Sequence, residues 1–280
     1  MMDAAPDTGV LDWAQRFSMA DAARLVPMVA NHRCGTNLFK TSAEQFRGVS
    51  ATNEVFSPSP EASGEHGFGV FLEEVPDAAT LAFSDPEATL RAYLAWLLAR
   101  KPTDRIILDI KYGNLYRLGV TPGSVPVPNI AYILAEWRLP VIHMMRLSTL
   151  REAISILVAG QTGDFLQYST EAKPNPVDAT LYLDPQGVLD LARSLQKLHA
   201  DFADVIQSLG VRHHRIFYED LRAPVRKQSV MRALHAVGVY CEPPEQLEER
   251  IVSQRSVERV SNLPEIVDMV RRVAPDLAAM

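Results

Sequence analysis

The segment with the greatest chemical capability is a short turn that follows an apolar run. The run is Leu25–Ala30, and the turn Asn31–Asn37 reads Asn-His-Arg-Cys-Gly-Thr-Asn before a helical pattern begins. Free backbone N–H groups at a helix start point towards a ligand, and the helix dipole favours negative charge there. Arg33 adds a fixed charge with forked geometry, and Thr36 and Asn37 add side-chain donors. The pattern predicts an anion site; the alternative is an ordinary turn in which Thr36 caps the helix.

A second segment with phosphate-binding side chains follows another apolar run, Pro140–Met145. Arg146 comes directly after this run, and a helix that begins near Ser148 would carry Ser155 two turns further on. An arginine and a serine hydroxyl together form a natural clamp for a phosphate. The alternative is that Arg146 is a surface residue and that Ser155 bonds a carbonyl of its own helix.

Other chemistries have weaker support in these residues. The first turn lacks the Gly-x-x-x-x-Gly-Lys-Ser/Thr signature and the Mg²⁺ ligand within it, which disfavours an ordinary ATP or GTP hydrolase. Cys34 has no identifiable His/Asp partner and is predicted to be a plain loop cysteine rather than a nucleophile. His213 and His214 begin a predicted strand without a third ligand, so no metal site is expected. His143, within an apolar run, is predicted to be a satisfied core histidine.

The strands and helices that position the two anion-binding segments are predicted from short apolar runs and helical patterns. The runs are too short for helices and lack polar alternation, as expected of strands buried on both faces of a parallel sheet. Asp85 and Asp184 each precede a proline and an apolar pattern at helical spacing. The prediction is a three-layer α/β fold with a mostly parallel sheet, whose ligands bind outside the carboxyl ends of the strands. The predicted strands are Leu25–Ala30, Arg105–Ile110, Pro140–Met145 and Arg215–Tyr218, and the predicted later helices are Pro224–Val237, Pro243–Ile251 and Pro264–Val273.

The pattern along the chain shows no composition shift that would mark a domain boundary. Residues 1–280 are therefore predicted to form a single domain, with 1–24 as an N-terminal extension and 240–280 as a helical tail. Ser57–Gly69 and Gly119–Pro128 are predicted to be loops that wall a pocket.

The composition and the net charge of the chain argue against several classes of function. The chain has 28 Lys+Arg against 34 Asp+Glu and a net charge of −6, which argues against general binding of nucleic acid or anionic membranes. Its two cysteines, Cys34 and Cys241, indicate a reducing, cytoplasmic compartment rather than a disulfide framework. Neither a signal peptide nor a membrane span is expected, because acidic residues interrupt the N-terminal segment and no apolar run approaches ~18 residues.

The order of these motifs resembles that of the sulfotransferases that use 3′-phosphoadenosine 5′-phosphosulfate (PAPS). The turn Arg33–Thr36 resembles the family's 5′-phosphosulfate loop, and Arg146 with Ser155 is similar to the 3′-phosphate motif of the bacterial carbohydrate-type, NodH-like members. Tyr218–Leu221 (Tyr-Glu-Asp-Leu), followed by a helical pattern, resembles a further family segment. The matches run in the family's order over about residues 25–265.

The resemblance implies a P-loop-NTPase-like sulfotransferase fold and an enzyme that needs no metal. It would transfer the sulfuryl group of PAPS to a hydroxyl of a small-molecule, carbohydrate or glycolipid acceptor by in-line displacement. Arg33 would offset charge on the leaving 5′-phosphate, the amides of Gly35–Leu38 would form an oxyanion cradle, and Arg146 and Ser155 would hold the 3′-phosphate. Cys34, Asn37 and Ser148 depart from the Ser, Ser/Thr and Asn that are usual in the family. The implied nucleotide-binding residues are Arg33, Cys34, Gly35, Thr36, Asn37, Leu38, Arg146, Ser155 and Arg255.

The same resemblance assigns residues to the reaction itself. Glu54 lies in a Glu-x-Phe context that matches the family's general base, and His66 is the alternative base. Lys111, just after the second predicted strand, matches a lysine that stabilises the sulfuryl group or contacts the acceptor; the alternative is a surface lysine. Arg33, Glu54 and Lys111 are thus the predicted catalytic residues.

Two other functions remain open from the sequence. A small-molecule kinase of the P-loop type would need the missing Gly-Lys-Ser/Thr, and a non-catalytic module of the same fold would bind the nucleotide without transferring sulfate. The expected partners are the hydroxyl-bearing acceptor and, in a homo-oligomer, a second copy of the chain.

Overall fold

The strands of the protein form one main parallel sheet and one small antiparallel pair. The computed structural model describes residues 9–121, 127–163, 180–222, 224–248 and 257–278. The strands are β1 (Leu25–Ala30), β2 (Val49–Glu54), β3 (Arg105–Lys111), β4 (Val120–Thr121), β5 (Val127–Pro128), β6 (Val141–Met145) and β7 (His213–Phe217). The main sheet has the order β2-β3-β1-β6-β7 with every pair parallel, whereas β4 and β5 pair antiparallel.

Helices precede and follow nearly every strand. The α-helices are α1 (Val10–Arg16), α2 (Met19–Ala22), α3 (Thr36–Ala43), α4 (Pro60–Ser63), α5 (Phe68–Glu74), α6 (Ala78–Ser84), α7 (Pro86–Arg100), α8 (Asn129–Glu136), α9 (Thr149–Thr162), α10 (Pro185–Ser208), α11 (Arg226–Ala236) and α12 (Leu263–Val273). Short 3₁₀ helices cover Gly64–His66, Tyr112–Leu118, Tyr218–Leu221, Val257–Arg259 and Pro275–Ala278. In the described ranges, no helix combines the length and apolarity that crossing a membrane requires.

Helices cover both faces of the sheet, because successive side chains of a strand point to opposite sides. From β1, Val26, Met28 and Ala30 pack in one core with α3 and α11. Leu25 and Val29 pack in a second core with α1 and α7. A further apolar cluster joins α9, α10 and α12. The predicted α/β class with three layers is therefore confirmed.

The connectivity brings three chain segments to one edge of the sheet. β1 lies between β3 and β6, and the chain builds the sheet first on one side of β1 and then on the other. The register pairs Ala30 with Lys111 on β3 and with Met144 on β6. The residues that follow these three strands therefore emerge side by side at the point where the strand order reverses, which is where ligands bind in sheets of this kind.

The helix starts predicted at Asp85, near Ser148 and at Asp184 are confirmed. Asp85 accepts a hydrogen bond from the N–H of Ala88, and Asp184 accepts from the N–H groups of Gln186 and Gly187. Ser148 caps α9 by accepting from the N–H of Arg151 at 3.2 Å. Each cap satisfies a backbone donor that has no partner within the helix.

Several predictions about the elements were wrong. β2 was not predicted, because its sequence carries polar residues at four of six positions and it forms the edge of the sheet. Ser57–Gly69 is not a plain loop, since it contains α4 and a 3₁₀ turn and leads into α5. Within the predicted helix Pro243–Ile251, residues 243–248 are not helical, and so the segment 240–280 becomes helical only from Val257 onwards among its described residues. Adjacent prolines disfavour the helical backbone of the residues before them.

Candidate active site

The loop between β1 and α3 (residues 31–35) requires glycine at its last position. Gly35 has a φ of +84°, in the left-handed region, and a Cβ added there would lie 2.4 Å from Cδ2 of Tyr218. Thr36 is the first residue of α3 and not its cap, which corrects one alternative reading. Its hydroxyl instead accepts a hydrogen bond from Nζ of Lys111 at 2.9 Å. The backbone N–H groups at the start of α3 therefore face the edge of the sheet where the strand order reverses.

Replacing Gly35 with alanine should destabilise the protein by about 1–3 kcal/mol, because the variant combines left-handed strain with a clash against Tyr218. Chemical denaturation measures this loss. Gly160→Ala is the matched control, since Gly160 lies in α9 and an added Cβ there meets nothing within 4 Å. That substitution should be neutral or stabilising by up to about 1 kcal/mol. Equal stability of the two variants would contradict the role of Gly35.

Arg33 and Ser155 are brought into direct contact. Nε of Arg33 donates to Oγ of Ser155 at 2.9 Å, although the two residues come from different loop–helix units. Arg33 itself has a φ of +65°, which is unusual for a residue with a side chain. The two segments that the sequence singled out for anion binding thus form one site.

Arg146 lies against the same loop rather than on the surface, which corrects the alternative reading of this residue. Its side chain is only 10% exposed and its Nε is 4.0 Å from a carboxylate oxygen of Glu219. One Nη donates to the carbonyl of Arg33 at 3.4 Å, and the guanidinium carbon stands 4.7 Å from the ring centre of Tyr218. Among the described residues, Nε has no hydrogen-bond acceptor. The guanidinium therefore keeps donor capacity at the edge of the sheet.

Two predicted nucleotide-binding residues turn their side chains into the core. Cys34 and Leu38 are 0% and 3% exposed and pack with Phe39 and Met28. Only their backbone groups can face a ligand. Burial, followed by the nearby Glu152, raises the pKa of the Cys34 thiol well above its ordinary value, so the thiol stays protonated. This agrees with the prediction that Cys34 is not a nucleophile.

Lys111 is buried in a cluster of charges and is not a surface lysine. Its Nζ lies 2.6 Å from Oδ1 of Asp109, and Nζ of Lys40 lies 2.8 Å from Oδ2 of the same carboxylate. Burial alone would raise the pKa of Asp109, but Lys111 and Lys40 outweigh burial and hold this pKa below its usual value. Two lysines thus share one carboxylate, which leaves a net positive charge beside Thr36. Sequence reasoning missed Lys40, which lies in α3, and Asp109, whose signal was a charged residue within an apolar strand.

Glu54 ends β2 and reaches the same positive cluster. Its Oε1 lies 3.7 Å from Nζ of Lys111 and 3.6 Å from Nδ1 of His32, and its side chain is 19% exposed. His66, the alternative base, instead pairs with Glu65 at 3.7 Å, and its backbone carbonyl accepts from the hydroxyl of Tyr93. Within the described part of the chain, no ion pair or hydrogen bond joins His66 to Glu54 or Lys111. The contacts therefore place Glu54, and not His66, with the other predicted catalytic residues.

A buried polar cluster behind the β1–α3 loop was not anticipated. The side-chain amide of Asn31 donates to Oε1 of Glu152 at 2.8 Å, and Oε2 of Glu152 lies 2.9 Å from Nε2 of His199 on α10. The hydroxyl of Tyr112 lies 3.1 Å from Nδ1 of His199 and 2.6 Å from Nε2 of His143. His143 is a core histidine as predicted, but it is not fully satisfied, because its Nδ1 has no hydrogen-bond partner among the described residues. The sequence offered no signal for this cluster, because its members are far apart along the chain.

One predicted residue and one cavity remain to be considered. Arg255, the last predicted nucleotide contact, falls outside the described residues. An open cavity of about 540 Å³ lies at the opposite, amino end of the sheet, where Arg24, Arg47 and Arg105 line it. Each of these arginines already reaches an acceptor of its own chain. The edge of the sheet at the carboxyl ends of its strands is the better candidate site, because the guanidinium of Arg146 keeps donor capacity there and several charged side chains meet.

Comparison with known proteins adds no assignment: no family model matches the chain, and no similar sequence was found among curated proteins. The geometry itself defines what the site can do. Arg33, Arg146 and Lys111 converge at the end of the sheet and can bind an extended polyanion. Glu54 stands beside Lys111 and can accept a proton from a group that reacts there.

Proposed function

We propose that the protein is a sulfotransferase that moves the sulfuryl group of PAPS to a hydroxyl of a small-molecule, carbohydrate or glycolipid acceptor. The observation that carries this proposal is the contact between Arg33 and Ser155, since it joins two anion-binding segments at one edge of the sheet. PAPS has two separate anionic ends, a 5′-phosphosulfate and a 3′-phosphate, and so needs two such clamps. The proposal includes a P-loop-NTPase-like sulfotransferase fold, which the strand order and the loop after β1 support.

Binding of the nucleotide follows from the positions of the cations. Arg33 and the amides that begin α3 would bind the 5′-phosphosulfate, with the helix dipole adding to their attraction. Arg146 and Ser155 would bind the 3′-phosphate, the group that distinguishes PAPS from ATP. The buried position of Arg146 favours strong charge-assisted hydrogen bonds, because water competes weakly there.

The transfer step needs a base and a positive charge close together, and Glu54 and Lys111 supply them. Glu54 would take the proton of the acceptor hydroxyl as its oxygen bonds to sulfur. The bond between sulfur and the 5′-phosphate oxygen breaks, and the electron pair leaves with 3′-phosphoadenosine 5′-phosphate (PAP). Arg33 would offset the charge on that phosphate, and Lys111 would stabilise the sulfuryl oxygens. Such in-line transfers depend mainly on positioning and charge stabilisation.

Calorimetric titration tests the proposal. The ligands are PAP, adenosine 5′-phosphate, and ATP with Mg²⁺. PAP should bind with micromolar affinity, and the other two ligands should bind much more weakly. A preference for ATP with Mg²⁺ would favour the kinase reading instead. If PAP binds but no tested hydroxyl compound receives sulfate from PAPS, the non-catalytic module becomes the better description.

Replacing Arg146 with alanine should weaken PAP binding by about 10- to 100-fold, because hydrogen bonds to a charged group are lost. The affinity for adenosine 5′-phosphate should stay nearly constant, since this ligand lacks the 3′-phosphate. Arg47→Ala is the matched control: it removes the same charge from a side chain that is 86% exposed at the opposite end of the sheet. Equal losses for both nucleotides would place Arg146 elsewhere than at the 3′-phosphate.

A further inference from the structure

The buried polar cluster behind the β1–α3 loop forms a continuous chain of hydrogen bonds, named here the Glu152 network. It runs from Asn31 through Glu152, His199 and Tyr112 to His143, with separations of 2.8, 2.9, 3.1 and 2.6 Å. None of these residues is more than 9% exposed. A buried carboxylate is costly unless it is fully bonded, and both oxygens of Glu152 have partners here.

The donors in this network follow one direction when both histidines are neutral. The carboxylate of Glu152 only accepts, so His199 donates from Nε2, and the Nδ1 of its neutral ring accepts from the hydroxyl of Tyr112. The oxygen of Tyr112 in turn accepts from Nε2–H of His143. Burial, followed by His199, lowers the pKa of His143 to about 3, so this ring is neutral. The assignment leaves a lone pair on Nδ1 of His143, the one atom of the network without a partner among the described residues.

The network ends at the loop that carries the anion-binding residues. Glu152 and Ser155 lie one turn apart on α9; Glu152 holds Asn31 at the start of the loop, and Ser155 holds Arg33 two residues later. Arg33 adopts a left-handed backbone, which costs about 1 kcal/mol or more and persists only where the surroundings impose it. The two contacts from α9 restrain the loop in this conformation, together with the hydrogen bond from Arg146 to the carbonyl of Arg33.

A metal site is the competing explanation for part of this cluster, because ligand atoms of Cys34, Glu152 and His199 lie within 4.8 Å of one another. One observation weighs against it. The carboxylate and the imidazole already have short hydrogen bonds to each other and to Asn31 and Tyr112.

We propose that Glu152 is a positioning residue: through the Glu152 network it fixes Asn31 and the β1–α3 loop, and thereby sets nucleotide affinity without touching the nucleotide. The nucleotide part of this inference rests on the proposed function, whereas the positioning of the loop does not. Glu152→Gln is the informative change, because glutamine keeps the size but offers one donor and one acceptor where the carboxylate offers two acceptors. The hydrogen bonds on one side of residue 152 must therefore exchange donor and acceptor, either at Asn31 or at the histidines.

The first test needs no nucleotide. Amide hydrogen exchange should become about tenfold faster or more in residues 31–38 of Glu152→Gln, as the loss of a hydrogen bond to a charged group predicts, while exchange in α7 stays unchanged. Nitrogen NMR of the imidazoles should show Nε2–H tautomers for His199 and His143 in the wild-type protein. Unchanged loop exchange, a uniform increase over the whole chain, or Nδ1–H tautomers in the wild type would overturn the proposal. So would stoichiometric zinc in the purified protein.

The second test measures PAP affinity by calorimetry. Glu152→Gln should weaken PAP binding about tenfold, and Tyr112→Phe, which interrupts the network one step further away, should weaken it by about two- to tenfold. Tyr93→Phe is the matched control, since it also removes a buried hydroxyl that makes a hydrogen bond, but in the aromatic cluster of α5 and α7. PAP affinity of Tyr93→Phe should equal that of the wild type. Equal affinity of all the variants would refute the positioning role, whereas failure of the wild type to bind PAP would refute the proposed function and leave the exchange experiment to decide on Glu152.

Discussion

Replacing Glu54 with glutamine should lower kcat for sulfuryl transfer by about 10²- to 10⁴-fold, the usual contribution of a general base. The amide cannot take the proton of the acceptor hydroxyl, although it fits in the same space beside Lys111. PAP affinity should remain close to that of the wild type, because no nucleotide contact is assigned to Glu54. The assay follows radiolabelled sulfuryl transfer from PAPS to a hydroxyl compound that the wild-type protein modifies.

Two further variants make this experiment decisive. Glu87→Gln also removes one negative charge, but on an exposed residue of α7 that pairs with Arg91, and it should leave kcat unchanged. His66→Gln tests the alternative base and should have a small effect, since His66 pairs with Glu65 rather than with the Lys111 cluster. A loss in His66→Gln as large as that expected for Glu54→Gln, with Glu54→Gln active, would reverse the assignment of the base.

Replacing Asp109 with asparagine should lower the free energy of unfolding by about 3–5 kcal/mol, as is typical when one partner of a buried ion pair is removed. Asp109 is fully buried between Lys40 and Lys111, so the variant leaves the buried ammonium of Lys40 without a counter-charge and leaves Lys111 with only the more distant carboxylate of Glu54. Urea denaturation measures the change. Asp201→Asn is the matched control, because its pair with Lys197 is solvent-exposed and should contribute less than about 1 kcal/mol.

The same carboxylate predicts how stability depends on pH. The pKa of Asp109 is lower in the folded protein than its usual value of 3.8, so its contribution is fully present above pH 3.8. That contribution is lost as the pH falls below this value and through the folded-state pKa. The free energy of unfolding of the wild type should therefore fall more steeply than that of Asp109→Asn as the pH drops below 3.8. Parallel pH profiles for the two proteins would show that Asp109 is not held ionised by the lysines.

Local patterns predicted much of the sheet and its helices. β1 was predicted at its observed bounds because all six of its residues are buried. The caps at Asp85 and Asp184 and the helix start near Ser148 were predicted from residues within one turn of each helix start. β2 was missed, since an edge strand needs no continuous apolar run, and residues 243–248 show that helical spacing alone does not make a helix.

The candidate site, too, was predictable from the sequence only in part. The sequence by itself determined the two loops with Arg33 and Arg146, because their residue types follow strand ends directly and strand ends meet at one edge of a parallel sheet. Only the tertiary structure decided that Arg33 bonds Ser155, that Lys111 and Lys40 share Asp109, and that Glu152 holds Asn31. Apart from Lys111 and Asp109, which lie two residues apart on β3, these contacts join residues that are far apart along the chain. The local spacing of residue types does not indicate which side chains meet at the site, since burial, sheet register and helix packing together set the distances between them.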